Sequence, residues 1–205
     1  MIEDFATSLQ KQLKDKLPGK TAHQEVAPYR NVNFNSAAIE AAKKSAVLIL
    51  FYPKGNKIFT VLMQRTVYDG KHSGQISFPG GKVEPLDTSI FDTALREANE
   101  ELGIEKDAVT VLGKLSDVFI PVSNFHVIPV IGYALKAPIF VLEKREVETI
   151  IELDIDELKN SILVNKKIKM SNNTLIKVPS FEFSEKIIWG ATALMLNELR
   201  HILKA

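Results

Sequence analysis

Cysteine is absent from the 205 residues. That excludes a disulfide framework, thiolate metal sites and a cysteine nucleophile, and it fits a reducing compartment. A long apolar run is also missing: the longest, residues 46–52 (AVLILFY), falls far short of the ~20 residues a membrane helix requires. The N-terminus, Met1-Ile2-Glu3-Asp4, has neither the basic segment nor the apolar core of a signal peptide, so a cytoplasmic location is expected. Neither sign of charge is in excess. Lys plus Arg number 26 against 25 for Asp plus Glu, a formal charge of +1. This gives no electrostatic case for nucleic acid or membrane as partners, so an anionic substrate must be met by a local site. With 45% apolar and 25% charged residues, the composition is that of a globular protein able to bury its own core.

Ile2, Phe5, Ala6, Leu9, Leu13 and Leu17 recur at helical spacing until Pro18-Gly19. The polar stretch 21–35 reads as an extended arm and residues 36–44 as a short helix. Residues 45–52 read as a buried strand, 53–56 as a turn and 58–64 as the returning strand. A polar loop covers 66–73. Further strands are expected over 109–115, 127–133, 147–153, 162–170 and 174–178, with helices over 155–160 and 191–203. Strands outnumber helices without regular alternation, which predicts an α/β fold with a mixed β-sheet rather than a doubly wound one. The expected division is an N-terminal helix and arm over 1–44 and a main domain over 45–205.

The informative segment is 78–87 (FPGGKVEPLD) followed by 88–104 (TSIFDTALREANEELGI). Asp87 or Ser89 can cap a helix there, and Gly103 can end it. At about 100° per residue, Phe91, Leu95, Ala98 and Leu102 share one stripe. Glu97, Glu100 and Glu101 share another, flanked by Arg96. Crowded carboxylates repel, and a bound cation relieves the repulsion. Hard oxygen donors suit Mg²⁺ or Mn²⁺. A glutamate-rich face is more often plain solvated surface, but here Gly80-Gly81 precedes it, where backbone groups can approach a ligand closely.

Residues 81–104 resemble the Nudix signature, a loop–helix–loop with an Arg-Glu-x-x-Glu-Glu-x-Gly core. That core is complete as Arg96 to Gly103. The spaced acid departs from the usual pattern: eight residues, not seven, separate Asp87 from Arg96, and aspartate replaces glutamate. The resemblance implies a Nudix-type α/β/α sandwich and hydrolysis of a diphosphate linkage. It implies Glu97, Glu100 and Glu101 as metal ligands, with the Gly80 carbonyl as a further candidate. It also implies Arg96 as the residue that orients the glutamates. Metal ions there would neutralise the diphosphate and acidify a water. The base would be a helix glutamate or one from another loop, Glu146 among them.

Residues 62–81 (LMQRTVYDGKHSGQISFPGG) are similar to the extended motif of the coenzyme A diphosphatase branch, through Arg65, His72, Gly74, Phe78, Pro79, Gly80 and Gly81. The longer loop with Asp87 occurs in that branch too, and residues 119–132 and 188–193 are similar to it. This implies coenzyme A or an acyl derivative as substrate, cut to 4′-phosphopantetheine and adenosine 3′,5′-bisphosphate. Another nucleoside diphosphate derivative or a non-catalytic nucleotide-binding module are the alternatives, and a homodimer is left open. Arg65, Lys71 and Lys82 are candidate phosphate partners. His72 is a candidate for substrate contact, and Ser123 and Phe125 lie in a loop that can cover a substrate.

Overall fold

β1 (Lys43–Lys54) carries the longest apolar run because it is covered on both faces. In the computed structural model, which describes residues 1–28, 36–67, 73–169 and 174–204, its alternate side chains enter two separate cores. Ala46, Leu48, Leu50 and Tyr52 pack into one. Ile49 and Phe51 pack into the other.

Helices α1 (Ile2–Gln12), α2 (Gly19–Val26) and α3 (Ser36–Glu40) precede β1. After it come β2 (Lys57–Arg65), β3 (Ile76–Ser77), β4 (Gly80–Lys82) and α4 (Ile90–Leu102). Next are β5 (Val109–Lys114), β6 (Val118–Ile120), β7 (Phe125–Ala134) and β8 (Val147–Asp154). The chain ends with α5 (Ile155–Asn160), β9 (Val164–Lys169), β10 (Leu175–Phe183), β11 (Lys186–Ile188) and α6 (Gly190–Lys204).

The main sheet runs β3-β2-β1-β7-β5, with β4 also on β1, β6 on β7 and β8 on β2. β1 and β7 are parallel, whereas β1 meets β2 and β4 antiparallel, so the sheet is mixed as expected. Ala94, Ala98 and Leu102 of α4 close one face. Residues of α1, α2, α5 and α6, including Leu9, Val26, Leu158 and Leu199, close the other. The result is an α/β/α sandwich. β9, β10 and β11 form a smaller sheet that sends Phe181 and Phe183 into the second core. Among the described residues, no helix is long and apolar enough to cross a membrane.

The N-terminal region departs from expectation. The first helix stops at Gln12, and Pro18 caps the start of α2 rather than opening an extended arm. Ala22 and Val26 are buried, and Asn197 Nδ2 of α6 donates to the Ala22 carbonyl at 2.7 Å. An eight-residue helix this polar is marginal alone and exists by packing, which its sequence does not display. α3 is shorter than expected because the chain joins the sheet early, with Lys43 N donating to the Asn124 carbonyl. β3, β4, β6 and β11 are too short to show a period of two.

One buried carboxylate ties α2 to the rest. Glu198 is fully buried; its Oε1 accepts from Ser116 Oγ at 2.7 Å, Ser116 N at 3.1 Å and Gly19 N at 3.3 Å. Its Oε2 stands 3.0 Å from His23 Nε2. Burial pushes the carboxyl up, but the hydrogen bonds of His23 and Ser116 outweigh it and hold the group below its ordinary 4.5. A depressed folded value means that the contribution is present above 4.5 and lost as pH falls through the folded value. Glu198→Ala is expected to cost about 3–5 kcal/mol, as a broken buried network does. Urea unfolding at pH 7 checks it, and the gap to wild type should narrow on acidification.

Candidate active site

α4 begins where Ser89 Oγ accepts from Asp92 N at 3.1 Å and ends at Gly103, whose left-handed φ of 69° closes the last turn. Its buried face is Thr93, Ala94, Ala98, Glu101 and Leu102. The expected apolar stripe is therefore rotated: Phe91 is 38% exposed, and Ala94 packs in its place. The rotation carries Glu101 inward. The glutamates form a gradient rather than one solvated face, with side chains 3%, 15% and 57% exposed at Glu101, Glu97 and Glu100.

The glycine loop explains how a carboxylate tolerates that depth. Pro79 O accepts from Leu48 N at 2.8 Å, and β4 then pairs with β1, Gly80 opposite Val47 and Gly81 opposite Ala46. Gly80 has φ +153°, and a Cβ there would lie 2.3 Å from the Ala46 carbonyl oxygen. At Gly81 a Cβ would lie 2.4 Å from the carboxyl of Glu97, so the bare backbone is what lets Glu97 reach the loop. Gly80 N donates to Glu101 Oε2 at 2.7 Å. Arg65 Nη2, from the end of β2, donates to the Gly80 carbonyl at 3.1 Å and lies 3.4 Å from Glu101 Oε1.

Arg96 organises the outer half. Its Nε and Nη2 donate to Asp87 Oδ1 and Oδ2 at 2.8 and 3.0 Å. Its Nη1 donates to Glu97 Oε1 and Glu100 Oε2, both at 3.0 Å, and Nη2 also donates to the Lys82 carbonyl at 3.1 Å. Asp87, whose role the sequence left open, is the anchor of that arginine. Thr93 Oγ1 and Glu84 N donate to the same carboxylate at 2.8 Å. The Arg96 hydrogen bond holds Asp87 well below the usual carboxylate range.

The inner carboxylates behave oppositely. Burial pushes Glu101 up to about 8; Arg65 and the Gly80 N–H oppose the shift, while Glu97 and Glu146 add to it. Glu97 is raised too, burial foremost. Glu146, exposed just before β8, adds the smallest of these contributions to both. Among the described residues, no three Asp, Glu or His side chains are already gathered around one point. The donor set still fits a hard divalent cation: Mg²⁺ keeps several waters and takes only one or two carboxylates plus substrate oxygens. Glu97 and Glu101 flank the glycine loop, each with one arginine beside it, Arg96 at Glu97 and Arg65 at Glu101 and the Gly80 carbonyl.

Of the expected substrate contacts, Lys82 is exposed and pairs opposite Ser45, while Phe125 pairs opposite Lys43. The two flank the same end of β1. Ser123, two residues earlier, has a buried Oγ with no hydrogen-bond partner. Arg65 is instead engaged inward. Lys71 and His72 lie outside the described residues.

Residues 42–168 match the NUDIX domain family. Across 97% of its length the chain is 30% identical to the uncharacterized Nudix hydrolase NudL of Pectobacterium atrosepticum, covering 92% of that protein. It is 29% identical to Nudix hydrolase 3 of Caenorhabditis elegans, over 78% of this chain and 72% of the relative. The crystal structure of a Nudix hydrolase from M. smegmatis, RenU, aligns with a TM-score of 0.55 over 80% of this chain and 86% of its own. At 17% identity that is a likeness of fold alone.

Proposed function

The chain belongs to the NUDIX domain family and is a Nudix hydrolase, and from that premise we propose that it cuts the diphosphate of coenzyme A or an acyl-coenzyme A. The products are 4′-phosphopantetheine, acylated or not, and adenosine 3′,5′-bisphosphate. The observation that carries the choice is the pairing of two motifs. The complete Arg96 to Gly103 core implies diphosphate hydrolysis, and the upstream run from Arg65 to Gly81 resembles the coenzyme A branch. Their contact through Arg65, Gly80 and Glu101 supports reading them as one functional unit.

In this reading Glu97, Glu100, Glu101 and the Gly80 carbonyl hold Mg²⁺ or Mn²⁺. When bound, such ions neutralise the diphosphate and lower the pKa of water. Arg96 fixes the directions of Glu97 and Glu100. Lys82, exposed at the end of β4, is suited to an incoming phosphate as a mobile point charge. Phe125, at the same end of β1, is suited to the pantetheine or adenine arm. Water adds to one phosphorus, the bridging P–O bond breaks, and the other phosphate leaves with the bridging oxygen. Glu146, whose charge both inner carboxylates feel, is the candidate to take the water's proton.

The test is a substrate panel with Mg²⁺ or Mn²⁺: coenzyme A, ADP-ribose, NADH and a dinucleoside polyphosphate. Coenzyme A should be consumed fastest, releasing adenosine 3′,5′-bisphosphate. Intact coenzyme A beside turnover of another compound would show the substrate assignment to be wrong.

A further inference from the structure

Arg65 has a second use that its place in the upstream motif does not suggest. It closes β2, where the pairing with β8 shifts register between Gln64 and Arg65. Such an irregularity re-aims a side chain. Arg65 N is held by the Gln75 carbonyl at 2.9 Å, and the side chain is only 24% exposed. One nitrogen, Nη2, serves two groups from different elements: the Gly80 carbonyl at 3.1 Å and Glu101 Oε1 at 3.4 Å. Gly80 N closes the ring onto Glu101 Oε2 at 2.7 Å. Strand, loop and helix are thereby joined at the two groups whose mutual position matters most.

We propose that Arg65 is a positioning residue: it fixes the Glu101 carboxylate against the Gly80 carbonyl and so sets the affinity of the site for its divalent cation, rather than gripping substrate phosphate. This rests on the reading of Glu101 and Gly80 as metal-holding groups. A planar guanidinium offers two diverging hydrogens on one nitrogen in fixed directions. A lysine ammonium keeps the charge but loses the fixed fork. Without Arg65, Glu101 keeps its Gly80 N–H partner but loses the cation beside it, and the Gly80 carbonyl loses its side-chain donor.

The experiment measures Mn²⁺ binding to the full chain without substrate, by the electron paramagnetic resonance of free Mn²⁺, alongside kcat and KM. Arg65→Ala should weaken Mn²⁺ binding by about 10–100-fold, the effect typical of residues that orient metal ligands. It should lower kcat while KM for the diphosphate moves less than about threefold, a loss confined to the reacting state. Arg65→Lys should recover part of the Mn²⁺ affinity, and it carries the test alone if the alanine variant does not fold. Wild-type Mn²⁺ affinity in the variants, with KM raised tenfold or more or with no kinetic change, would overturn the proposal. Because the binding measurement contains no substrate, it stays readable if coenzyme A proves not to be the substrate. A wild-type chain that binds no Mn²⁺ would overturn both the metal reading and this proposal.

Discussion

Glu101→Gln is expected to lower kcat by about a thousandfold while leaving the protein folded and as stable as before, or more so. The kinetic part follows from what a bound cation supplies, several kcal/mol of charge stabilisation in the transition state, at about 1.4 kcal/mol per tenfold. Stability should move the other way because Glu101 is a carboxylate in the wrong surroundings for charge. Burial, with Glu97 and Glu146 adding to it, raises it to about 8. A folded value above the ordinary 4.5 means stability fully present below 4.5 and lost as pH rises toward 8. A neutral glutamine escapes that loss. In metal-free buffer the melting temperature of the variant should therefore gain on wild type as pH rises from 5 to 8. Near-normal turnover in the variant would remove Glu101 from the reaction, and a variant that melts lower across that range would contradict the electrostatics.

The two adjacent glycines should fail in different ways. At Gly80 an added methyl meets backbone, the Ala46 carbonyl oxygen at 2.3 Å and Val47 Cα at 2.5 Å, and φ is +153°. Backbone in a paired strand cannot retreat, so Gly80→Ala should cost more than about 4 kcal/mol, among the severe single substitutions. At Gly81 the methyl meets only the Glu97 carboxyl, between 2.4 and 2.5 Å, and that group lies at the end of a side chain. Gly81→Ala should cost less than about 1.5 kcal/mol yet reduce kcat by roughly 100-fold, because Glu97 is pushed off its position by about 1 Å. Urea unfolding and steady-state kinetics on the pair separate the two. Equal stability losses, or an active Gly81→Ala, would mean that the loop yields more than its contacts suggest.

Much of this was legible in the sequence. The apolar run of β1, the strands over β5, β7 and β8, and the helix α6 are long enough to read. The loop and helix from Gly80 to Gly103 were visible as a pattern of residue types. The rotation of α4 was not: Phe91 and Ala94 are both apolar, and which of them faces the sheet depends on how close the glycine loop lets the helix come. Glu101 looked like its neighbours because depth is a property of the packed loop, not of the residue. Asp87 and Arg96 are nine positions apart, and only the turn between them brings the two together. The charge of Arg65 is evident in one dimension, whereas its contact with the Gly80 carbonyl depends on the packed loop. α2 has too few apolar residues to announce a helix; α6 supplies the missing half of its reason to fold.

Arg96 has no hydrogen to spare. A guanidinium carries five N–H bonds, and here they go to Asp87 twice and to Glu97, Glu100 and the Lys82 carbonyl once each. A group so fully committed is positive in charge yet chemically saturated, with no open valence to offer an arriving anion. Lysine, with three hydrogens, would leave acceptors stranded. On the proposed reading, an arriving anion would have to be met by groups other than Arg96. The strongest cation in the motif faces its own protein.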